Sequence, residues 1–198
     1  MNDTLNIKVI LGSNREARQG AKVAEWVTNV ATLRPELTVE LVDLAEENLP
    51  TVLAALPPAV RGEGQYPSEQ VAAWGKKISD ADGYVFVVAE YNHGYTAVLK
   101  NAIDHLYTEW AKKPVAYVGY SMSPDGASRA IEQLIPVTAH LDMAQAMPST
   151  RIGGVVNFDA KASMSDYNFK QLNGTLDSLV WWAKTLKATR SAKQLATV

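Results

Sequence analysis

Apolar residues fall along the chain in short blocks of two kinds. Residues 7–11 read IKVIL and are closed by Gly12 and Ser13; so short and apolar a run suits a strand buried on both faces. Val23, Val27 and Val30, flanked by Ala24 and Ala31, recur at helical spacing. Residues 38–44 alternate more and carry Glu40 and Asp43, as a strand nearer a sheet edge does. Residues 45–67 hold Pro50, Pro57, Pro58, Gly62, Gly64 and Pro67, which predicts short, broken helix. A second helix is expected from about Pro67 to Ala81. Residues 84–89, YVFVVA, then give the strongest central-strand signal. Leu99, Ile103 and Leu106 mark a third helix, and residues 115–120, VAYVGY, another buried strand. Residues 127–139 read as a fourth helix with Ile131, Leu134 and Ile135 inward, which Pro136 should kink or end early. A fifth strand is placed near 143–147, and Leu172, Leu176, Leu179 and Leu186 carry a last helix.

Strands and helices therefore alternate, which predicts an α/β chain with a parallel sheet covered by helices on both faces. Five strands fit the doubly wound order 2-1-3-4-5, in which ligands sit at the carboxyl ends of strands one and three. A length of 198 residues predicts a single domain, 1–198. The 19 basic and 21 acidic residues leave a net charge of −2, which offers no field for wrapping nucleic acid. The absence of cysteine removes disulfides, thiolate metal sites and cysteine nucleophiles. No run approaches the ~20 apolar residues of a membrane span, and the first residues lack a signal-peptide core. No membrane partner and a cytoplasmic location are expected. The tail from Ser178 carries Lys184, Lys187, Arg190 and Lys193 and no acid, which reads as a solvated helix end.

Three loops at the predicted carboxyl edge could carry chemistry. The first, residues 12–20, leaves strand one for a helix whose N-terminal amides welcome a phosphate. Ser13 offers a hydroxyl, and Arg15 or Arg18 a charge-assisted bond. It is neither a Walker loop nor a G-x-G-x-x-G fingerprint, and it also reads as an ordinary helix start. The second loop, residues 89–96, brings Tyr91 and Tyr95 with Asn92 beside them, groups suited to a heteroaromatic ring; Thr96 is a candidate N-cap. The third, residues 121–129, is small and polar, with Asp125 or Ser123 as a cap for the fourth helix. His93, His105 and His140 have no metal-ligand spacing, so no metal is expected. Lys100 and Asp104 form an i, i+4 pair.

Three stretches carry a resemblance. Gly12-Ser13-Asn14-Arg15, with Gly20, Lys22, Val23, Ala24 and Trp26, is similar to the phosphate loop and first helix of the NADPH-dependent FMN reductase family, flavodoxin-like proteins that include quinone and azo-dye reductases. Glu90-Tyr91-Asn92 with Leu99-Lys100-Asn101-Ala102-Ile103-Asp104 resembles its P-E-Y-N … L-K-N-A-I-D signature. Gly119-Tyr120-Ser121 with Gly126 and Arg129 resembles its third loop. The resemblance implies a flavodoxin-like fold and FMN bound non-covalently. The phosphate would lie on Ser13, Arg15, Gln19 and Gly20, and the ring on Glu90, Tyr91, Asn92 and neighbouring His93, flanked by Tyr120 and Ser121. It further implies hydride transfer from NADPH or NADH to the flavin and on to a small-molecule acceptor such as a quinone or azo compound, the chemistry being carried by the flavin with no catalytic side chain. It implies a homodimer or homotetramer, with the helix of Lys100 and Asp104 at the interface. The chain departs from the pattern at Ala89, where the family has proline, and at Gly94 to Ala97. A flavin-binding electron carrier or redox sensor is the alternative on the same fold, and a Ser13 hydrolase a more distant one.

Overall fold

The computed structural model describes residues 4–51, 54–61, 64–161 and 166–196, so Gly62 lies outside the described residues, and of Lys193 only the backbone is described. Five strands, β1 Leu5–Gly12, β2 Leu37–Asp43, β3 Gly83–Ala89, β4 Pro114–Tyr120 and β5 Ala144–Ile152, pair in parallel in the order β2-β1-β3-β4-β5. The helices are α1 Gly20–Thr32, α2 Leu44–Glu47, α3 Pro58–Arg61, α4 Glu69–Ser79, α5 Ala97–Asp104, α6 Ser128–His140 and α7 Tyr167–Ala196. This is the flavodoxin-like, doubly wound sheet that the alternation predicts.

Every residue of β3 and β4 is buried, which explains their uninterrupted apolar runs: helices cover both faces of a central parallel strand. On one face Val23, Trp26 and Val27 of α1 and Leu172, Leu176 and Leu179 of α7 pack on Val9, Val85, Val87 and Val118. On the other, Trp74 and Ile78 of α4, Leu99 and Ile103 of α5 and Leu134 of α6 pack on Ile10, Phe86 and Val88. The two large indoles there bury without an orphaned donor: Trp74 Nε1 donates to Ala102 O at 2.9 Å and Trp110 Nε1 to Ile103 O at 3.2 Å. Truncating one of the fully buried leucines to alanine would cost about 2–5 kcal/mol. Among the described residues no helix is long and apolar enough to cross a membrane.

Four details differ from expectation. β5 runs to Ile152 rather than stopping near residue 147, because pairing with β4 resumes past a register shift, Ala116 facing Ala146 but Val118 facing Thr150. Pro148, which has no N–H for a ladder, falls inside that shift and hides the strand in the sequence. α6 continues through Pro136, which is exposed, so water can take the carbonyl that loses its partner. Neither Asp125 nor Ser123 caps that helix: its N-cap is Ala127 at φ 65°, with no side-chain bond. Finally, the basic tail is only partly solvated, since Lys187 and Arg190 both reach Asp82, at 3.0 and 3.1 Å.

Candidate functional site

β1 lies between β2 and β3, so the chain leaves β1 for one face of the sheet and leaves β3 for the other. The carboxyl ends of β1, β3 and β4 stop side by side, with Gly12 opposite Val88 and Ala89 opposite Tyr120. The loops that follow enclose a cleft of ≈ 330 Å³, within the ~300–1,000 Å³ of small-molecule sites. Arg15, Arg18, Gln19, Glu90, Tyr91, Tyr120 and Ser121 line it, and Met122, Val155 and Val156 add an apolar wall.

Ser13 is fully buried beneath the first loop, and its Oγ shares a 2.9 Å hydrogen bond with the Tyr91 hydroxyl, joining loop one to loop two. The Arg15 amide leans on the same oxygen at 3.5 Å while its side chain stays exposed at the mouth. α1 begins at Gly20 without help: its N-cap, Gln19, makes no side-chain bond, and no acid stands in its first turn. The partial positive charge of that terminus is left for an anion. Arg18 pairs through one terminal nitrogen with Asp43, yet its buried Nε has no hydrogen-bond partner. Tyr120 stands against Gly20, where a methyl group would lie 2.1 Å from its hydroxyl oxygen; glycine is required by this approach. Burial pushes the Tyr120 pKa up to about 12, with Ser13 and Arg18 opposing the rise and Tyr91 adding to it.

The other candidates are placed differently. Glu90 touches the cleft, but its carboxylate is turned to the third loop, accepting from Arg129 Nε at 2.9 Å and from the Ala130 amide at 3.3 Å. Asn92 and His93 do not line the cleft. They form the two central positions of a tight turn, at φ 50° and 68°, closed by paired backbone bonds between Tyr91 and Gly94 at 2.9 and 3.0 Å. That turn is what holds up the Tyr91 ring. Tyr95 packs into the core beside α5 instead of over the cleft. Ser121 Oγ donates to Ser123 O at 2.9 Å, and the Ser121 backbone bonds to Ile152 and Val155 at 3.1 and 3.0 Å, tying loop three to the chain after β5. Thr96 caps α5, as predicted, accepting from the Leu99 amide at 3.3 Å, and also donates to Gly12 O at 2.6 Å. His105 is a buried structural residue whose Nε2 donates to Pro50 O at 2.7 Å.

Sequence reasoning missed Asp43, Met122, Val155 and Val156. Asp43 was findable, because the order 2-1-3-4-5 sets it opposite Leu11, next to the first loop. The two valines come from a 3₁₀ turn, Val155–Asn157, that carries no periodic signal. The residues present suit a ligand with an anionic end and a flat apolar body. An uncapped helix terminus and two unpaired buried donors face one end, while Tyr91, Met122 and Val156 line the remainder. FMN meets that description.

Comparison with known proteins agrees. The description of the NADPH-dependent FMN reductase family matches residues 5–153. An NAD(P)H-dependent FMN reductase of Schizosaccharomyces pombe is 40% identical over 149 residues, 74% of this chain and 72% of that one. A quinone reductase of Escherichia coli is 30% identical over 163 residues, 79% and 81% of the two chains. Among solved structures, a flavoenzyme NAD(P)H:(acceptor) oxidoreductase from Paracoccus denitrificans superposes with a TM-score of 0.70 at 23% identity, covering 92% of this chain and 98% of its own. That likeness shows the fold.

Proposed function

Because the chain belongs to the NADPH-dependent FMN reductase family, oxidoreductases that use NAD(P)H and FMN, we propose that it binds FMN in the cleft at the carboxyl edge and passes reducing equivalents from NAD(P)H to a small molecule such as a quinone or azo compound. The observation that carries this reading is the meeting of the uncapped α1 terminus, Arg15, Arg18 and Tyr91 in one cleft. Bound FMN supplies a ring that takes up a hydride from the nicotinamide and gives electrons to the acceptor. The protein's own residues bind, orient and exclude water. Arg15, Gln19 and the amides that start α1 hold the phosphate. Ser13 fixes Tyr91 against loop one, and Met122 and Val156 shield the ring's apolar part. No side chain has to move a proton for a hydride to transfer, so none is assigned a catalytic role.

Tyr91 is also the wall between this cleft and a neighbouring cavity of ≈ 620 Å³, lined by Asn14, Leu44, Asn48, Thr96 and Asn101. A second small molecule has room there beside the cofactor. The whole chain, 1–198, acts as one FMN-binding domain in the cytoplasm. It forms a homodimer or homotetramer through α5, where Lys100 and Asp104 stand 2.5 Å apart; light scattering of the purified protein tests the assembly.

The first test is the absorbance spectrum after mixing with FMN and removing free ligand. Retained yellow colour that bleaches with anaerobic NADPH, and returns when a quinone is added, is the expected result. Colour that NADPH leaves untouched would make the protein an electron carrier or sensor. Arg15→Ala should weaken FMN binding by about 1.5–3 kcal/mol; an unchanged affinity in a fluorescence titration removes Arg15 from the phosphate site.

A further inference from the structure

Among the described residues three buried donors lack a hydrogen-bond partner, Arg18 Nε, Arg61 Nε and the Tyr120 hydroxyl, and two of them, Arg18 Nε and the Tyr120 hydroxyl, belong to residues that line the cleft. Unpaired buried polar groups are uncommon in native proteins, and where they occur they call for a use. Tyr120 is only 5% exposed, so the hydroxyl has no recourse to bulk water. Its direction is set by packing. Tyr120 ends β4, and its ring reaches across to the first residue of α1: a methyl on Gly20 would lie 2.1 Å from the hydroxyl oxygen and 2.5 Å from the carbon that bears it. The hydroxyl is thus held at the terminus where the α1 amides gather, within the field of Arg18 and beside Ser13, whose hydroxyl leans on the phenol oxygen as a donor and leaves the phenol's own proton without an acceptor. The Asp43 carboxylate holds one terminal nitrogen of Arg18, which fixes the plane in which the free Nε–H lies.

We propose that the Tyr120 hydroxyl donates a hydrogen bond to the cofactor's 5′-phosphate, with Arg18 Nε as a second donor beside it. The end of β4 would then read the phosphate and not the ring. This deepens the FMN reading above and rests on it. A phosphate monoester is charged at neutral pH and accepts several strong bonds. The burial that keeps the phenol protonated up to about pH 12 leaves it a donor over the working range. Because the site is assembled before the ligand arrives, the hydroxyl needs little reorganisation to serve it.

The test compares FMN with riboflavin, which has the same ring and ribityl chain but no phosphate. Dissociation constants for both are measured by flavin fluorescence on the wild type and on Tyr120→Phe, alongside the Tm of each protein without ligand. Tyr120→Phe is expected to weaken FMN binding about 10- to 100-fold. Riboflavin binding should not change, and the ligand-free Tm should stay level or rise, since the variant deletes a buried hydroxyl whose proton has no acceptor, while Ser13 keeps its bond to Tyr91. Equal losses for both flavins would place the hydroxyl on the ring and overturn the assignment. An unchanged FMN constant would overturn it too. So would a lower ligand-free Tm, which would make the hydroxyl a structural partner. A wild type that binds FMN well while Tyr120→Phe matches it refutes only this inference; a wild type that binds neither flavin refutes the FMN reading and this inference together.

Discussion

At Glu90 the carboxylate accepts from Arg129 Nε at 2.9 Å and Arg129 also closes on it through a terminal nitrogen at 2.7 Å, so a residue of the second loop secures the third. The Glu90 side chain is 5% exposed, whereas that of Arg129 is 42% exposed, which discounts the pair for solvent screening. Glu90→Gln should lower stability by about 1–2 kcal/mol in urea unfolding. Asp104→Asn, which breaks an i, i+4 pair on α5, should lower it by only a few tenths in the isolated chain. Lys113 is the other telling single residue. It is buried, its Nζ donating to Ile78 O at 2.8 Å and Ser79 O at 2.7 Å, at the end of α4. Burial, reinforced by Arg190 and opposed by Asp82, Asp80 and Glu109, lowers its pKa to about 8. Between that value and the ~10.4 of an exposed lysine the unfolded chain holds the extra proton, so stability rises with pH across this window. The buried Tyr120 works the other way. Its pKa, raised to about 12, lies above the ~10 of the unfolded chain, so stability falls as pH climbs from one to the other. Unfolding measured at a series of fixed pH values should therefore show a maximum near pH ~10, and Lys113→Met should remove the rise that precedes it.

At the scale of elements, α6 carries the clearest conflict between local rule and outcome. The helix Ser128–His140 passes through Pro136, which lacks the amide an interior position needs. Its exposure means that replacement creates no cavity, so Pro136→Ala should raise stability by about 1–3 kcal/mol, partly offset by the looser unfolded chain. A Tm that falls in calorimetry would mean that the ring packs against something it is needed for. Most of the architecture was legible because the evidence for it is periodic. The buried runs of β1, β3 and β4 and the stripes of α1 and α7 come from residues that must face a core, and burial leaves a pattern. β5 was half legible, because its second part is polar and broken by Pro148. The candidate site was legible in position but less so in orientation. Nothing in the order of residues says that Glu90 turns toward Arg129, that Asn92 and His93 form the turn and stay out of the cleft, or that the Tyr120 ring reaches α1. Those directions are decided by contacts with distant elements.

For the molecule as a whole, the two edges of the sheet have separate duties. The cleft occupies the carboxyl edge. At the amino edge Asp82 gathers the Asn6 amide at 3.0 Å, Lys187 at 3.0 Å and Arg190 at 3.1 Å, and Arg190 also donates to Lys112 O at 2.7 Å. This fastens the far part of α7 beneath β1, β3 and β4. Asp82→Asn should lower stability by about 1–3 kcal/mol, because it leaves two half-buried cations short of a partner. FMN affinity, measured in the same samples, should stay as it is; a parallel loss would show that the two edges are coupled. The packing of Tyr120 on Gly20 reaches further still. The two positions are a hundred apart in the chain, yet they can vary only in sequence: the phenol at 120 must shrink before any side chain can appear at 20. A lineage that made the second change first would pass through a protein with β4 and α1 forced apart, so across descendants of this chain the two sites should be inherited as a pair.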